Sequence, residues 1–267
     1  MKNVLLLVHD DSGQEARLQV ALDLARGLDG HLQCLDVALM PMTVGAPYDG
    51  MFIGEMLADE VKREETNKAK LEHRLGREDV PFSWTDVTGD FESALADAAG
   101  MADIIVVNRK LTTFPYPDTR RTASELIVHS HRPVMAVPET TKSLDLFGRA
   151  LVAWDGSTCA SAAMIAAVPL LKLAEKVTIL EVNDGSVDTP AEEAAAYLGR
   201  YGIHARIVRD EPMGQTVGQL LLTATETQAV DYVVMGGFGH RRTTEAIFGG
   251  ATRTMLTESP VPVFLAH

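Results

Sequence analysis

The sequence predicts an α/β protein of two tandem, doubly wound domains, each a five-stranded parallel sheet with helices on both faces. Three observations predict it. Short continuous apolar runs, Val4 to Val8 and Tyr232 to Met235 among them, read as strands buried on both faces, as parallel sheets require. Stretches with helical spacing of apolar residues separate these runs, and parallel neighbours need such crossovers, which are almost always right-handed. The alternation then restarts at Arg149, so the chain carries an internal repeat.

In the first copy, Val4 to Val8 ends in the polar turn His9, Asp10, Asp11, Ser12, and Ala16 to Leu28 follows as a helix. His31 to Met40 is the second strand. The charged run from Glu55 to Arg77 has helix-forming composition with one apolar face. Phe82 to Val87 alternates as a third strand, Glu92 to Ala99 is a short helix, Asp103 to Asn108 a fourth strand, Ser124 to Ser130 the end of a helix, and Pro133 to Pro138 the fifth strand. The polar stretch from Glu139 to Gly148 reads as a linker between a domain of residues 1–138 and one of residues 149–267.

The second copy opens with Arg149 to Trp154 and the turn Asp155, Gly156, Ser157, then an alanine-rich helix from Cys159 to Leu173. Val177 to Val182, His204 to Arg209, Tyr232 to Met235 and Val263 to Ala266 are its other strands. Helices over Ala191 to Tyr201, Thr216 to Thr227 and Thr243 to Glu258 join them. The first copy is longer, mainly by the stretch after its second strand.

Charged residues make up 23% of the chain and apolar ones 46%, the profile of a soluble globular protein. The formal charge of −13 argues against attraction to nucleic acid or an anionic membrane. Cys34 and Cys159 are too few for a disulfide framework, and the first residues lack a signal-peptide layout, so the cytoplasm is the expected compartment. No apolar run approaches the roughly 20 residues of a membrane helix.

The chemistry concentrates after Met235. Gly236, Gly239 and Gly249 follow the spacing Gly-x2-Gly-x9-Gly, with His240, Arg241 and Arg242 directly after the second glycine. Converging backbone N–H groups in such a turn, followed by a helix N-terminus, suit an anion. The pattern is neither a P-loop nor the GxGxxG dinucleotide fingerprint. With the closing SPVPVFLAH, it resembles the universal stress proteins, and the tandem repeat extends that resemblance over nearly the whole chain as a two-domain form.

That resemblance implies flavodoxin-like domains of the adenine nucleotide alpha hydrolase kind, with an adenine nucleotide, ATP foremost, held by the C-terminal copy. Asp155, with Gly156 and Ser157, would lie at the adenosine end; Gly236 and Gly239 at the ribose and first phosphates; Gly249 and Gly250 at the later ones. His240 and Arg241 adjoin the phosphates in this reading. The family carries Ser or Thr after the last glycine, where this chain has Gly250, so Thr252 or another donor must supply that hydroxyl. The resemblance further implies a stress-response or regulatory role, pairing of the two copies through Val134 to Val137 and Val263 to Ala266, and dimers of whole chains.

The first copy departs from the pattern, with no glycine between Asn108 and its last strand and with Pro115 and Pro117 in place of a flexible loop, so no nucleotide is expected there. Simpler roles stand beside each assignment. Asp155, Gly156 and Ser157 suit a turn and helix cap whatever the function, and exposed arginines at a helix start are usually solvated. His9, His129 and His131 do not have metal-site spacing. No residue set builds a nucleophile and base, so any ATP hydrolysis would be slow. Two further readings remain open: an interaction module without ligand, favoured by Gly250, and a binder of another small molecule through Met40 to Gly54.

Overall fold

The computed structural model describes residues 1–267 apart from 41–49, 111–122, 124, 125, 128, 184, 186 and 238–249. In chain order, its N-terminal half contains β1 (Asn3–Val8), α1 (Gln14–Gly27), β2 (His31–Leu39), α2 (Gly50–Leu75), β3 (Phe82–Gly89), α3 (Phe91–Ala98), β4 (Ile104–Lys110) and β5 (Val134–Pro138). The C-terminal half contains β6 (Arg149–Trp154), α4 (Thr158–Leu171), β7 (Lys176–Val182), α5 (Ala191–Gly199), β8 (Arg206–Asp210), α6 (Val217–Thr227), β9 (Tyr232–Gly236), α7 (Gly250–Glu258) and β10 (Val263–Ala266). The elements match the expected ones to within a few residues, except that the stretch before Gly250 lies outside the described residues. Within the helix expected from Ser124 to Ser130, residues 124, 125 and 128 lie outside the described residues.

The ten strands form one sheet in the order β3-β2-β1-β4-β5-β10-β9-β6-β7-β8. Each half therefore has the order 3-2-1-4-5, with the reversal of direction between its first and fourth strands. Every pairing inside a half is parallel. The two halves meet in the sheet's single antiparallel pair, where Ala136, Met135 and Val134 stand opposite Val263, Phe264 and Leu265. An antiparallel seam follows from joining two last strands about a local twofold relation, and it turns two edges that would otherwise expose unpaired N–H and C=O groups into interior strands.

Alternation along each strand splits the core between the two faces. Val4, Leu6 and Val8 of β1 belong to the layer that also holds buried residues of α1, α4 and α5, while Leu5 and Leu7 belong to the layer that holds those of α3, α6 and α7. Both apolar layers run across the seam into both halves. The capping residues are legible: Asp90 accepts from the Ser93 N–H at the start of α3, Ser157 accepts from Ala160 at the start of α4, and Thr216 with Gln219 closes a reciprocal capping box on α6.

The stretch read as a linker is docked. Leu144 and Leu146 are buried in the layer under α1, the Leu144 N–H donates to Asp23 at 2.8 Å, and a Cβ on Gly27 would meet the Leu146 side chain. Among the described residues, no helix is long and apolar enough to cross a membrane.

Candidate functional site

In an open α/β sheet, ligands sit beyond the carboxyl ends of the strands where strand order reverses. In the C-terminal half that place lies past β6 and β9, where Gly156 stands two residues beyond β6 and Gly236 ends β9. Gly156 follows β6 with φ +75, the left-handed region, and a Cβ on it would fall 2.1 Å from the Thr189 nitrogen. Gly236 ends β9, where a Cβ would fall 2.5 Å from the Ala160 nitrogen at the start of α4. Both glycines are required by backbone passing close by. The first turn of α4 is thereby drawn close to β9.

Asp155 and Ser157 complete the turn. The Asp155 carboxylate accepts from the Ser157 N–H at 2.9 Å, its carbonyl accepts from Asp188 at 3.1 Å, and the Ser157 hydroxyl caps α4 by accepting from Ala160 at 3.1 Å. Trp154 donates its indole N–H to the Thr189 carbonyl at 2.8 Å, fixing the β7–α5 connection against the turn. The cap expected for these residues is present, and Asp155 is only half-buried.

Past Gly236, the Gly237 N–H donates to Ala266 and its carbonyl accepts from the His267 imidazole at 2.9 Å, with the Cys159 sulfur 3.2 Å from the same ring nitrogen. Burial pushes the Cys159 thiol up, although it stands in the first turn of a helix. Gly239, His240, Arg241, Arg242 and Gly249 lie outside the described residues. Gly250, the first residue of α7, is exposed, and no described residue stands within 4 Å of where its Cβ would be. Thr252 is buried, two residues along and so on a different face of the helix.

The N-terminal half holds protein atoms at the equivalent place. Val106 pairs with Leu6 as Val234 pairs with Val152, so Asn108, two residues on, has the register of Gly236. Its side chain is fully buried and donates to the carbonyls of Val137 and Gly13. Arg17, fully buried on α1, donates to the carbonyls of Leu7 (3.0 Å) and His9 (3.2 Å), to Asp11 (2.9 Å) and to the Asn108 side-chain oxygen. A guanidinium is affordable in this interior only because four acceptors surround it. The sequence reading passed over Arg17, although it lies one turn before Ala21 and two before Leu24 on the buried face of α1; a charge in an otherwise apolar stripe was the signal.

Beside this plug stands a second polar group. His9, at the end of β1, has its Nδ1 3.0 Å from Glu64 and 3.8 Å from Glu60, both on α2. Burial alone would raise the Glu64 pKa, but hydrogen bonds from His9, the Asp10 N–H and Asn67 outweigh it and hold the carboxylate below its ordinary value. Asp36 of β2 goes the other way: burial, then the charges of Glu64 and Asp86, push it up to about 8. The native protein therefore keeps a proton on Asp36 that the unfolded chain releases near pH 4. Stability is expected to fall as pH rises from about 4 to about 8 and to level off above that. Melting temperature against pH checks this: Asp36→Asn should flatten the slope and melt higher than wild type at pH 8.

The structure thus brings Asp155, Gly156, Ser157 and Gly236 together around the first turn of α4, with Gly250 and Thr252 on the helix that follows β9. Of the histidines weighed for metal, His9 stands among carboxylates rather than beside His129 and His131. The spacing that would have flagged it is Glu60-x3-Glu64, one helical turn, on α2.

No family model matches the chain. A universal stress protein of Synechocystis is 24% identical, the match covering 98% of this chain and 99% of that protein. A universal stress protein from Archaeoglobus fulgidus superposes with a TM-score of 0.74 at 18% identity, covering 99% of this chain and 95% of that one. A protein of unknown function from Pseudomonas aeruginosa superposes at 0.61 with 13% identity, covering 100% and 92%. At these identities the structural likenesses concern the fold.

Proposed function

We infer, from the premise that the chain belongs to the universal stress proteins in their tandem two-domain form, that it binds an adenine nucleotide, ATP foremost, in its C-terminal half and serves a regulatory role in stress. The observation that carries this reading is the asymmetry of the two switch points. Gly156 and Gly236 put no side chain at the ends of β6 and β9, where the backbone of Thr189 and Ala160 passes close by, whereas the buried side chains of Asn108 and Arg17 occupy the matching place past β1 and β4. In this reading the phosphates approach backbone N–H groups past β9.

In this reading Asp155 meets the adenosine end beside Gly156 and Ser157, Gly236 and Gly239 face ribose and first phosphates, and Gly249, Gly250, His240 and Arg241 attend the later phosphates. The residues of 1–138 form the nucleotide-free partner domain, 139–148 the docked connection and 149–267 the binding domain. The chain's residues bind and orient; none is assigned to activate water.

Isothermal titration with ATP tests the reading. Wild type is expected to bind one nucleotide per chain and Gly239→Val to lose it; equal binding by both would remove the glycine stretch from the site. A second reading, an interaction module without ligand, is favoured by the absence of a hydroxyl at Gly250, and no heat with wild type would select it. No described residue stands within 4 Å of a Cβ on Gly250, so a serine there displaces none of them. Gly250→Ser is expected to tighten ATP binding about two- to tenfold, the worth of one hydrogen bond, and titration of the variant reads it.

A further inference from the structure

We propose that His9, Glu60 and Glu64 form a site for a divalent transition-metal ion in the N-terminal half, independent of the nucleotide reading. One ligating atom from each of the three lies within 4.8 Å of the others. One imidazole and two carboxylates are the donor set of manganese, iron and zinc sites rather than of magnesium or calcium, which take oxygen alone. The two glutamates stand one turn apart on α2 and so share a face, and β1 delivers the histidine from the sheet.

The place of the cation is marked by a charge already there. Arg63 Nη2 lies 2.8 Å from Glu60, 3.4 Å from Glu64 and 3.4 Å from His9 Nε2, so a single positive nitrogen touches all three donors. Arg63 reaches that point from the rim, with 39% of its side chain exposed, and can swing into water. It is a displaceable competitor. Around the donors stands the supporting layer that ligands need. The His9 Nδ1 is 3.1 Å from the Val37 carbonyl, which fixes the tautomer leaving Nε2 to coordinate, and Phe91 meets the ring edge-on with centroids 5.0 Å apart. Glu64 accepts from the Asp10 N–H and from Asn67, both at 3.2 Å, and Asn67 is held in turn by Gln14.

An independent observation points the same way. Asp36, buried on β2 and set against Glu64, has a carboxyl oxygen, Oδ1, without a hydrogen-bond partner among the described residues. Glu60 and Glu64 share one guanidinium, and the buried Asp36 Oδ1 beside Glu64 is unsatisfied among the described residues, a cost that a divalent ion removes.

The test is isothermal titration of the nucleotide-free full chain with Mn2+ and with Zn2+, on wild type, Glu60→Gln and Arg63→Ala, with circular dichroism to establish that each variant is folded. Wild type is expected to bind one ion per chain, Glu60→Gln to bind it at least about tenfold more weakly, and Arg63→Ala several-fold more tightly. Undiminished binding by Glu60→Gln would place the ion elsewhere and overturn the proposal. Failure of both wild type and Arg63→Ala to bind would overturn it too, and binding by Arg63→Ala alone would make the guanidinium the permanent cation of the cluster, equally against it.

Discussion

Arg17→Ala is expected to destabilise the protein by about 3–5 kcal/mol, the cost of breaking a buried ion pair from one side. This guanidinium is fully buried and heavily bonded: it donates to two main-chain carbonyls at the end of β1, the Asp11 carboxylate and the Asn108 amide oxygen. Its removal leaves Asp11, whose other carboxyl oxygen already has no partner among the described residues, as an uncompensated buried charge. Denaturant unfolding of the variant measures the loss. The pair Arg17→Met with Asp11→Asn should recover a good part of it, since the charge and its partner leave together. A loss below about 1 kcal/mol for Arg17→Ala would mean that the guanidinium is solvated, and the account of a filled first crevice would go with it.

Gly156→Ala is the second large effect, and it should strike binding harder than stability. A non-glycine residue at φ +75 carries roughly 1–3 kcal/mol of backbone strain. Here the added Cβ also meets main chain, 2.1 Å from the Thr189 nitrogen and 2.6 Å from its oxygen. Main chain cannot rotate aside, so the connection between β7 and α5 must withdraw. That breaks the bonds from Trp154 to Thr189 and from Asp188 to Asp155, and releases the turn that carries Asp155 and Ser157. The expected outcome is a fall in stability of about 2–4 kcal/mol together with loss of ATP binding. Gly250→Ala is the matched control: with no described residue within 4 Å of its Cβ, and at the first residue of α7, it should change stability by less than about 1 kcal/mol. If Gly156→Ala kept full affinity for ATP, the turn after β6 would not belong to the site.

The architecture was legible because periodicity and punctuation agreed at every step. Buried strands such as β1 and β9 announce themselves as unbroken apolar runs, and the edge strand β3 by its alternation, because a strand's exposure is written in which faces are covered. The seam between β5 and β10 was anticipated through family resemblance, and the register of Val134 to Ala136 against Leu265 to Val263 places it as expected. What periodicity cannot carry is the contact between residues distant in the chain. Leu144 and Leu146 look like scattered apolar residues in a polar linker until α1 is set beneath them. Composition reads such a stretch as loose; packing decides otherwise.

The candidate site divides in the same way. Glycines in strand-to-helix turns can be read from sequence as tight turns, and Gly156 and Gly236 are that. Why they must be glycine is a matter of what passes by, Thr189 in one case and Ala160 in the other, and that is long-range information. The missing glycines of the first copy were legible, but the meeting of Arg17 and Asn108 past its first and fourth strands was not, because the two residues are 91 apart in the chain. His9 with Glu60 and Glu64 hid for the same reason. Histidine was compared with its neighbours in sequence, whereas its partners come from a helix some fifty residues on.

The most direct measurement is the number of ATP molecules held by the intact chain, read by native mass spectrometry and repeated with Asp155→Ala. One nucleotide per chain in the wild type, and none in the variant, is the expected result. Two per chain would mean that the half containing Arg17 and Asn108 accepts the ligand after all, and that finding would contradict the account at its base.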